Sequence, residues 1–239
     1  MRKIKKFFSI SMVLIIMVLS MATSAFAAPN ADVQKIDNRS DMEIVNDNLK
    51  AKGFKELKSS DINFLEKDGQ WEKIVKYFRN SDSKTQLDYK VIPFENGSLA
   101  IVPKGCNVTV SSDESKKDTI IEPSTSSNSL TSATSSLASG GTYYLRDSFN
   151  KTFSIEAWVR DIQVTTTGLK IWYYYKSDTV HSINFDGNYY YCYSTSPSTH
   201  TYNTVQFTNI VNGYYDIQLR KDSSSTSANL YGEIGDGPI

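Results

Sequence analysis

Past Thr142 the chain runs through nine short apolar-alternating segments punctuated by turn residues, and no other feature restricts its fold so tightly. The segments are Thr142–Leu145, Phe153–Val159, Val164–Thr167, Leu169–Tyr175, Ser182–Phe185, Tyr189–Tyr193, Val205–Ile210, Tyr214–Arg220 and Ala228–Ile234. Side chains of a strand point to alternate faces, so such alternation buries one face and wets the other, as in antiparallel sheets. Short strands at this spacing predict an all-β sandwich or jelly-roll-like domain over residues 142–239. Asp186-Gly187-Asn188 and Asn212-Gly213 supply hairpin turns. The pattern is clearest in Leu169–Tyr175. There Leu169, Ile171, Tyr173 and Tyr175 form one face, expected to be core, while Lys170, Trp172, Tyr174 and Lys176 form the other.

Within Asn212-Gly-Tyr-Tyr-Asp-Ile-Gln-Leu219 the chain resembles the penultimate strand of many β-sandwiches, in which a tyrosine hydrogen-bonds back across a corner. The resemblance implies that role for Tyr215 and burial for Ile217.

The N-terminus predicts export. Met1–Lys6 carries Arg2, Lys3, Lys5 and Lys6, Phe7–Met21 is almost wholly apolar, and Ala25-Phe26-Ala27 has the small-x-small form read by signal peptidase. Residues 1–27 are therefore expected to be a signal peptide cleaved between Ala27 and Ala28, and the protein to be secreted. The full chain holds 26 basic and 26 acidic side chains; without the four basic residues of the signal, 22 face 26, a net charge of −4. Neither residues 28–139 nor 140–239 has a basic excess, which argues against nucleic acid as a partner.

Residues 28–110 are expected to form a small α+β unit, a candidate pro-region. Ser40-Asp41-Met42-Glu43 fits a capping box, and Ile44, Val45 and Leu49 give the following helix an apolar stripe that Gly53 ends. Trp71–Arg79, Thr85–Phe94 and Ser98–Val102 are expected as three antiparallel strands, with Asn96-Gly97 as a hairpin turn; a helical reading of Trp71–Phe78 stays open. Residues 111–141 are too rich in serine and threonine to bury and predict a linker, either a spacer or a processing site. Composition sharpens the division, because 13 of the 15 tyrosines follow Gly141.

Chemistry-bearing residues are sparse. His181 and His200 are the only histidines, no Gly-x-Ser-x-Gly elbow occurs, and neither Cys-x-x-Cys nor His-Glu-x-x-His is present, so no catalytic, metal or cofactor residue is assigned. Glu156, Asp161 and Asp186 read as solvated acids rather than a hydrolase pair. Cys106 and Cys192, the only cysteines, form a candidate disulfide between the two parts or stay as free thiols. The aromatic residues are the remaining signal. Trp158 and Tyr189-Tyr190-Tyr191 alternate with core positions, and Trp172, Tyr174 and Tyr190 are the candidate binding surface.

The order of signal, charged unit, Ser/Thr-rich linker and β module is similar to that of secreted Gram-positive proproteins, precursors of larger bacteriocins among them. So, loosely, are Trp71-Glu-Lys-Ile-Val-Lys-Tyr-Phe-Arg-Asn-Ser-Asp82 and Gly97-Ser-Leu-Ala-Ile-Val-Pro103. The resemblance implies a non-enzymatic antibacterial protein matured by an extracellular protease in the linker. The slightly acidic, β-patterned second half departs from cationic, helical membrane-active bacteriocins and argues against pore formation. The alternative expectation is a β-sandwich module that binds polysaccharide or the bacterial cell surface.

Overall fold

The computed structural model describes residues 38–80, 86–111, 144–176, 179–192, 200–222 and 227–236. The expected signal peptide, its cleavage point at Ala27 and Ala28, and residues 112–141 of the expected linker lie outside them.

Three helices come first among the described residues. In α1 (Asp41–Ala51) the capping box is closed as the sequence predicts: Ser40 Oγ accepts from Glu43 N at 3.3 Å, and Glu43 Oε2 accepts from Ser40 N at 2.7 Å. Gly53, at φ 78°, follows its end. Helix α2 (Ser59–Lys67) was not anticipated; the Asp61 carboxylate accepts from Lys58 N at 2.7 Å and caps its start. Helix α3 (Trp71–Arg79) corrects the strand expected there. Trp71, Ile74, Val75 and Phe78 sit at i, i+3, i+4 and i+7, which gathers the apolar residues on one helical stripe, whereas a strand would split them between faces.

Eleven described strands follow: β1 (Tyr89–Pro93), β2 (Leu99–Pro103), β3 (Asn107–Ser111), β4 (Tyr144–Phe153), β5 (Glu156–Val164), β6 (Gly168–Lys176), β7 (His181–Phe185), β8 (Asn188–Cys192), β9 (His200–Thr208), β10 (Gly213–Lys221) and β11 (Ala228–Asp236). They make two antiparallel sheets, six-stranded in the order β1-β2-β8-β7-β10-β5 and five-stranded in the order β3-β9-β6-β11-β4. Residues from both sheets share one apolar core, including Val102, Ile183, Phe185, Ile217 and Leu219 from the first and Leu169, Ile171, Val205, Phe207 and Leu230 from the second. Of the expected segment Val164–Thr167, Val164 ends β5 and Thr165–Thr167 turn into β6, and β4 continues well past Leu145.

The sheets do not divide where composition divides. Strand β2 pairs with β8, Leu99 opposite Tyr191 and Ile101 opposite Tyr189; β3 pairs with β9 from Asn107 opposite Thr208 to Ser111 opposite Thr204. Residues before 112 thus supply strands to both sheets, and the described residues from Ser40 onward belong to one compact unit. The charged helices and the tyrosine-rich strands differ in composition because they form different layers, not because they fold separately.

The helices cover the outer side of the six-stranded sheet around β8. Leu99, Ile101, Tyr189 and Tyr191 pack against Leu49, Phe64, Leu65, Ile74 and Phe78, while Ala100, Val102, Tyr190 and Cys192 face the other sheet. Polar anchors fix this docking. Tyr191 donates its hydroxyl to Asp61 at 3.0 Å; Tyr189 and Ser182 both donate to Asp68 Oδ2 at 2.8 Å, and Arg220 pairs with Asp68 Oδ1 at 2.5 Å. Asp61 and Asp68 are seven residues apart, two helical turns, and so reach the same sheet.

Residues 142–239 severed from the rest are expected to lack a cooperative thermal transition by circular dichroism, because β8 and β9 become bare edges and the Tyr189 and Tyr191 rings are uncovered. Adding residues 38–111 in trans should restore the transition; cooperative unfolding by the fragment alone would refute this account. In the full chain, Asp68→Ala strands Arg220, Tyr189 and Ser182 and is expected to lower stability by about 3 kcal/mol in urea unfolding. A loss under about 1 kcal/mol would show that the apolar contacts alone hold the helices.

Candidate functional site

Of the three aromatic residues expected to form a binding surface, one is accessible. Tyr174 lies on the outer side of the five-stranded sheet, half-buried, opposite Tyr231 of β11, with ring centroids 4.7 Å apart. Trp172 is on the same side but only 4% exposed, flanked by Glu233 and Thr204 on the adjacent strands and by Lys170, whose Nζ lies 5.6 Å from its ring centroid. Trp172 is therefore no open stacking platform: long neighbours on a flat sheet wall in a side chain at its centre. Tyr190 is 0% exposed and lies between the sheets, and Tyr189 and Tyr191 lie under the helices. The expectation of outward rings on β8 assumed one wet face, and that strand has none.

Gly232 makes the Tyr174–Tyr231 contact feasible. It faces Tyr173 on β6, and a Cβ there would run into the backbone carbonyl of Trp172 and the Cβ of Tyr173. Only glycine lets β11 lie this close to β6.

Between the sheets sits a polar cluster with His181 and Cys192, cross-strand neighbours on β7 and β8. His181 Nδ1 is 2.8 Å from the Thr179 carbonyl, which can only accept, so Nδ1 carries the proton and Nε2 accepts from the Tyr173 hydroxyl at 2.8 Å. Asn203 donates to Tyr173 at 3.2 Å and to Tyr190 at 2.8 Å, and Tyr175 OH lies 3.2 Å from Cys192 Sγ. Burial pushes the His181 imidazole down to about 4, against the opposing pull of its Thr179 hydrogen bond. Burial likewise pushes the Cys192 thiol up to about 11 although nearby tyrosine hydroxyls oppose it, and raises the phenols of Tyr173, Tyr175 and Tyr190. A protonated thiol bonded to a tyrosine, beside an imidazole whose lone pair is already engaged, is not a nucleophile–base pair.

The candidate disulfide is corrected as well: Cys106 and Cys192 are both buried free thiols. The pairing of Leu99 with Tyr191 places Cys192 beyond one end of β2, and Cys106 follows Pro103 at the other. Five residues of strand at about 3.3 Å each separate them, well past the ~7 Å reach of a disulfide. Glu156, Asp161 and Asp186 are exposed; Asp161 and Asp186 have φ of 57° and 40° at a bulge and a turn. Among the described residues no group of three or more His, Cys, Asp or Glu is placed to hold a metal ion.

Strand register also assembles a group that sequence reasoning missed. On the outer side of the six-stranded sheet, Asn184, Gln218 and Trp158 form one row across β7, β10 and β5, and Ser182, Arg220 and Glu156 form the next. Register, which local alternation does not give, is what brings them together. Models of known protein families, curated proteins and solved structures yield no match to this chain. Function therefore has to be argued from these two faces and the cluster between them.

His181 sets the acid behaviour. Its ordinary value is near 6.5 and its folded value about 4, so between these the unfolded chain takes up a proton that the native fold refuses, and stability falls as pH drops through that window. At about 1.4 kcal/mol per pH unit, the full loss is roughly 3 kcal/mol. Asp236 acts at lower pH. Burial would raise its carboxyl, but Arg146 at 2.5 and 3.0 Å and Thr165 N at 2.6 Å outweigh that and hold it below the ordinary carboxylate value, so its contribution is lost only in stronger acid. Urea unfolding from pH 7 to 4 should show the slope, and His181→Gln should flatten it; an unchanged slope would assign the effect elsewhere.

Proposed function

We propose that this protein is a secreted, non-catalytic binding protein of β-sandwich type whose ligand is a polysaccharide of cell walls or of the environment. The observation that carries this reading is the Tyr174–Tyr231 ring pair, half-buried on the outer side of the five-stranded sheet. Half-buried Lys170, Glu233, Thr204 and Gln206 surround it on the same side. A sugar presents C–H faces that stack on aromatic rings and hydroxyl edges that need donors and acceptors close by, and this face supplies both. Its neighbours carry both signs of charge, which suits a neutral polymer better than a polyanion.

A bacteriocin-type antibacterial role is the second reading, supported by the export signal and the Ser/Thr-rich segment. Because strands from both sides of residues 112–143 share the sheets, its active form would be the whole exported chain and not a freed residue 142–239 fragment.

Retention of the exported chain on insoluble cellulose, chitin and peptidoglycan tests the proposal. The wild type is expected to be retained on at least one, and Tyr174→Ala and Tyr231→Ala each to weaken binding roughly fivefold, about 1 kcal/mol per ring. No retention on any polymer, or retention indifferent to both changes, overturns it; growth inhibition of related bacteria without retention would transfer support to the antibacterial reading.

A further inference from the structure

We infer a second saccharide subsite on the opposite side of the molecule, at the step where the helical layer ends on β7, β10 and β5. The inference rests on the polysaccharide reading but uses none of the residues that carry it.

Among the described residues, helices pack on one part of the six-stranded sheet. Val91, Leu99, Ile101, Tyr189 and Tyr191, on β1, β2 and β8, pack under the helices. Farther along the same face, Asn184, Gln218 and Trp158 are half-buried, and Trp158 is not part of that apolar cluster. The C-terminal end of α2 marks the boundary, since Asp68 holds Ser182, Tyr189 and Arg220 there. A chain laid on the open part meets a floor of two amides and an indole, with a wall at Asp68 and Arg220.

The chemistry of that floor fits a sugar. Trp158 is half-buried with the Arg160 guanidinium over its ring, 5.6 Å from the centroid, so a sugar would meet the indole together with that cation. Gln218 Nε2 donates to Glu156 Oε2 at 3.1 Å, which orients its amide and leaves the carbonyl oxygen as an acceptor beside Trp158. Asn184 continues the row with a second amide, and carboxamides both donate to and accept from hydroxyls. Arg220 is braced from behind: its partner Asp68 has a side chain only 4% exposed, while its own remains 29% exposed. A guanidinium held by a buried carboxylate keeps its remaining donors in a fixed direction at no further cost on binding. Cations and acids alternate, so the predicted ligand is again a neutral glycan. Because the two subsites lie on the outer sides of opposite sheets, a single chain of this protein would bridge two polysaccharide strands rather than grip one twice.

Isothermal titration of the full exported chain with cellohexaose and chitohexaose, followed by turbidity with soluble mixed-linkage glucan, tests this. Two sites per protein are expected for a hexasaccharide that binds, with glucan cross-linked into a turbid phase. Trp158→Ala should remove the Trp158 subsite and the turbidity while Tyr174→Ala weakens the ring-pair site about fivefold; Asn184→Ala, a gentler change at a half-buried position, should weaken the Trp158 subsite about fivefold, the loss of about one hydrogen bond. Circular dichroism confirms that each variant is folded. One site, weakened by Tyr174→Ala and untouched by Trp158→Ala and Asn184→Ala, overturns the second subsite and leaves the ring-pair site standing. One site lost in Trp158→Ala alone keeps the step and removes the ring pair. Binding of neither hexasaccharide and no turbidity overturns both.

Discussion

Strand β8 is buried on both of its faces, and most of what distinguishes this fold follows from that. A strand with one wet face can afford to alternate; one between helices and a second sheet must be large and apolar-bodied throughout, while its polar atoms find partners. Tyrosine meets both needs. Tyr189 and Tyr191 fill the space under the helices and deliver their hydroxyls to Asp68 and Asp61, and Tyr190 fills the space between the sheets and receives Asn203. The run of three tyrosines is thus the seam joining three layers. Its carboxylate partners sit on a helix and at its C-terminal cap, 130 residues earlier for Asp61 and 121 for Asp68.

That long separation explains what was legible in the sequence and what was not. Local rules worked where the decisive partner was local. The capping box at Ser40 and Glu43, the Asn96-Gly97 turn, the buried side of β6 and the corner made by Tyr215, whose hydroxyl donates to the Val211 carbonyl, are all present. They failed where a distant layer decided. Trp71–Arg79 is a helix whose apolar stripe covers β1, β2 and β8, and over nine residues that spacing suits a helix although the sequence reading expects a strand there. Strand β3, five residues of modest hydrophobicity, is a strand because β9 is there to pair with it. The same reason defeated the aromatic expectation: alternation places Trp172 outward, but its depth in the middle of a five-stranded sheet is set by neighbours on β9 and β11.

The His181–Cys192 cluster shows how chemistry-bearing residues serve packing. A histidine, a thiol, three phenols and an amide buried together would be costly if any were unpaired. Here each finds a partner, and the partners run across β6, β7, β8 and β9, so the bonds form only when all four strands are in register. An apolar core of equal volume would tolerate a shift by two residues along a strand; these directional bonds do not. The cost is sensitivity to acid, because the one group that must stay neutral at Nε2 is the one whose ordinary value lies nearest physiological pH.

The two outer faces then divide the remaining task. On the five-stranded side, Gly232 brings β11 against β6, and that closeness stacks Tyr231 beside Tyr174. On the six-stranded side, Asp68 ends the helical cover and also fixes Arg220, so the residue that docks the helices shapes the edge of the uncovered floor. Both faces therefore take their form from core constraints: a missing side chain in one case and a buried carboxylate in the other. Under the proposed polysaccharide reading, surfaces set by such constraints would be rigid before any ligand arrives, which would reduce the entropy lost on binding.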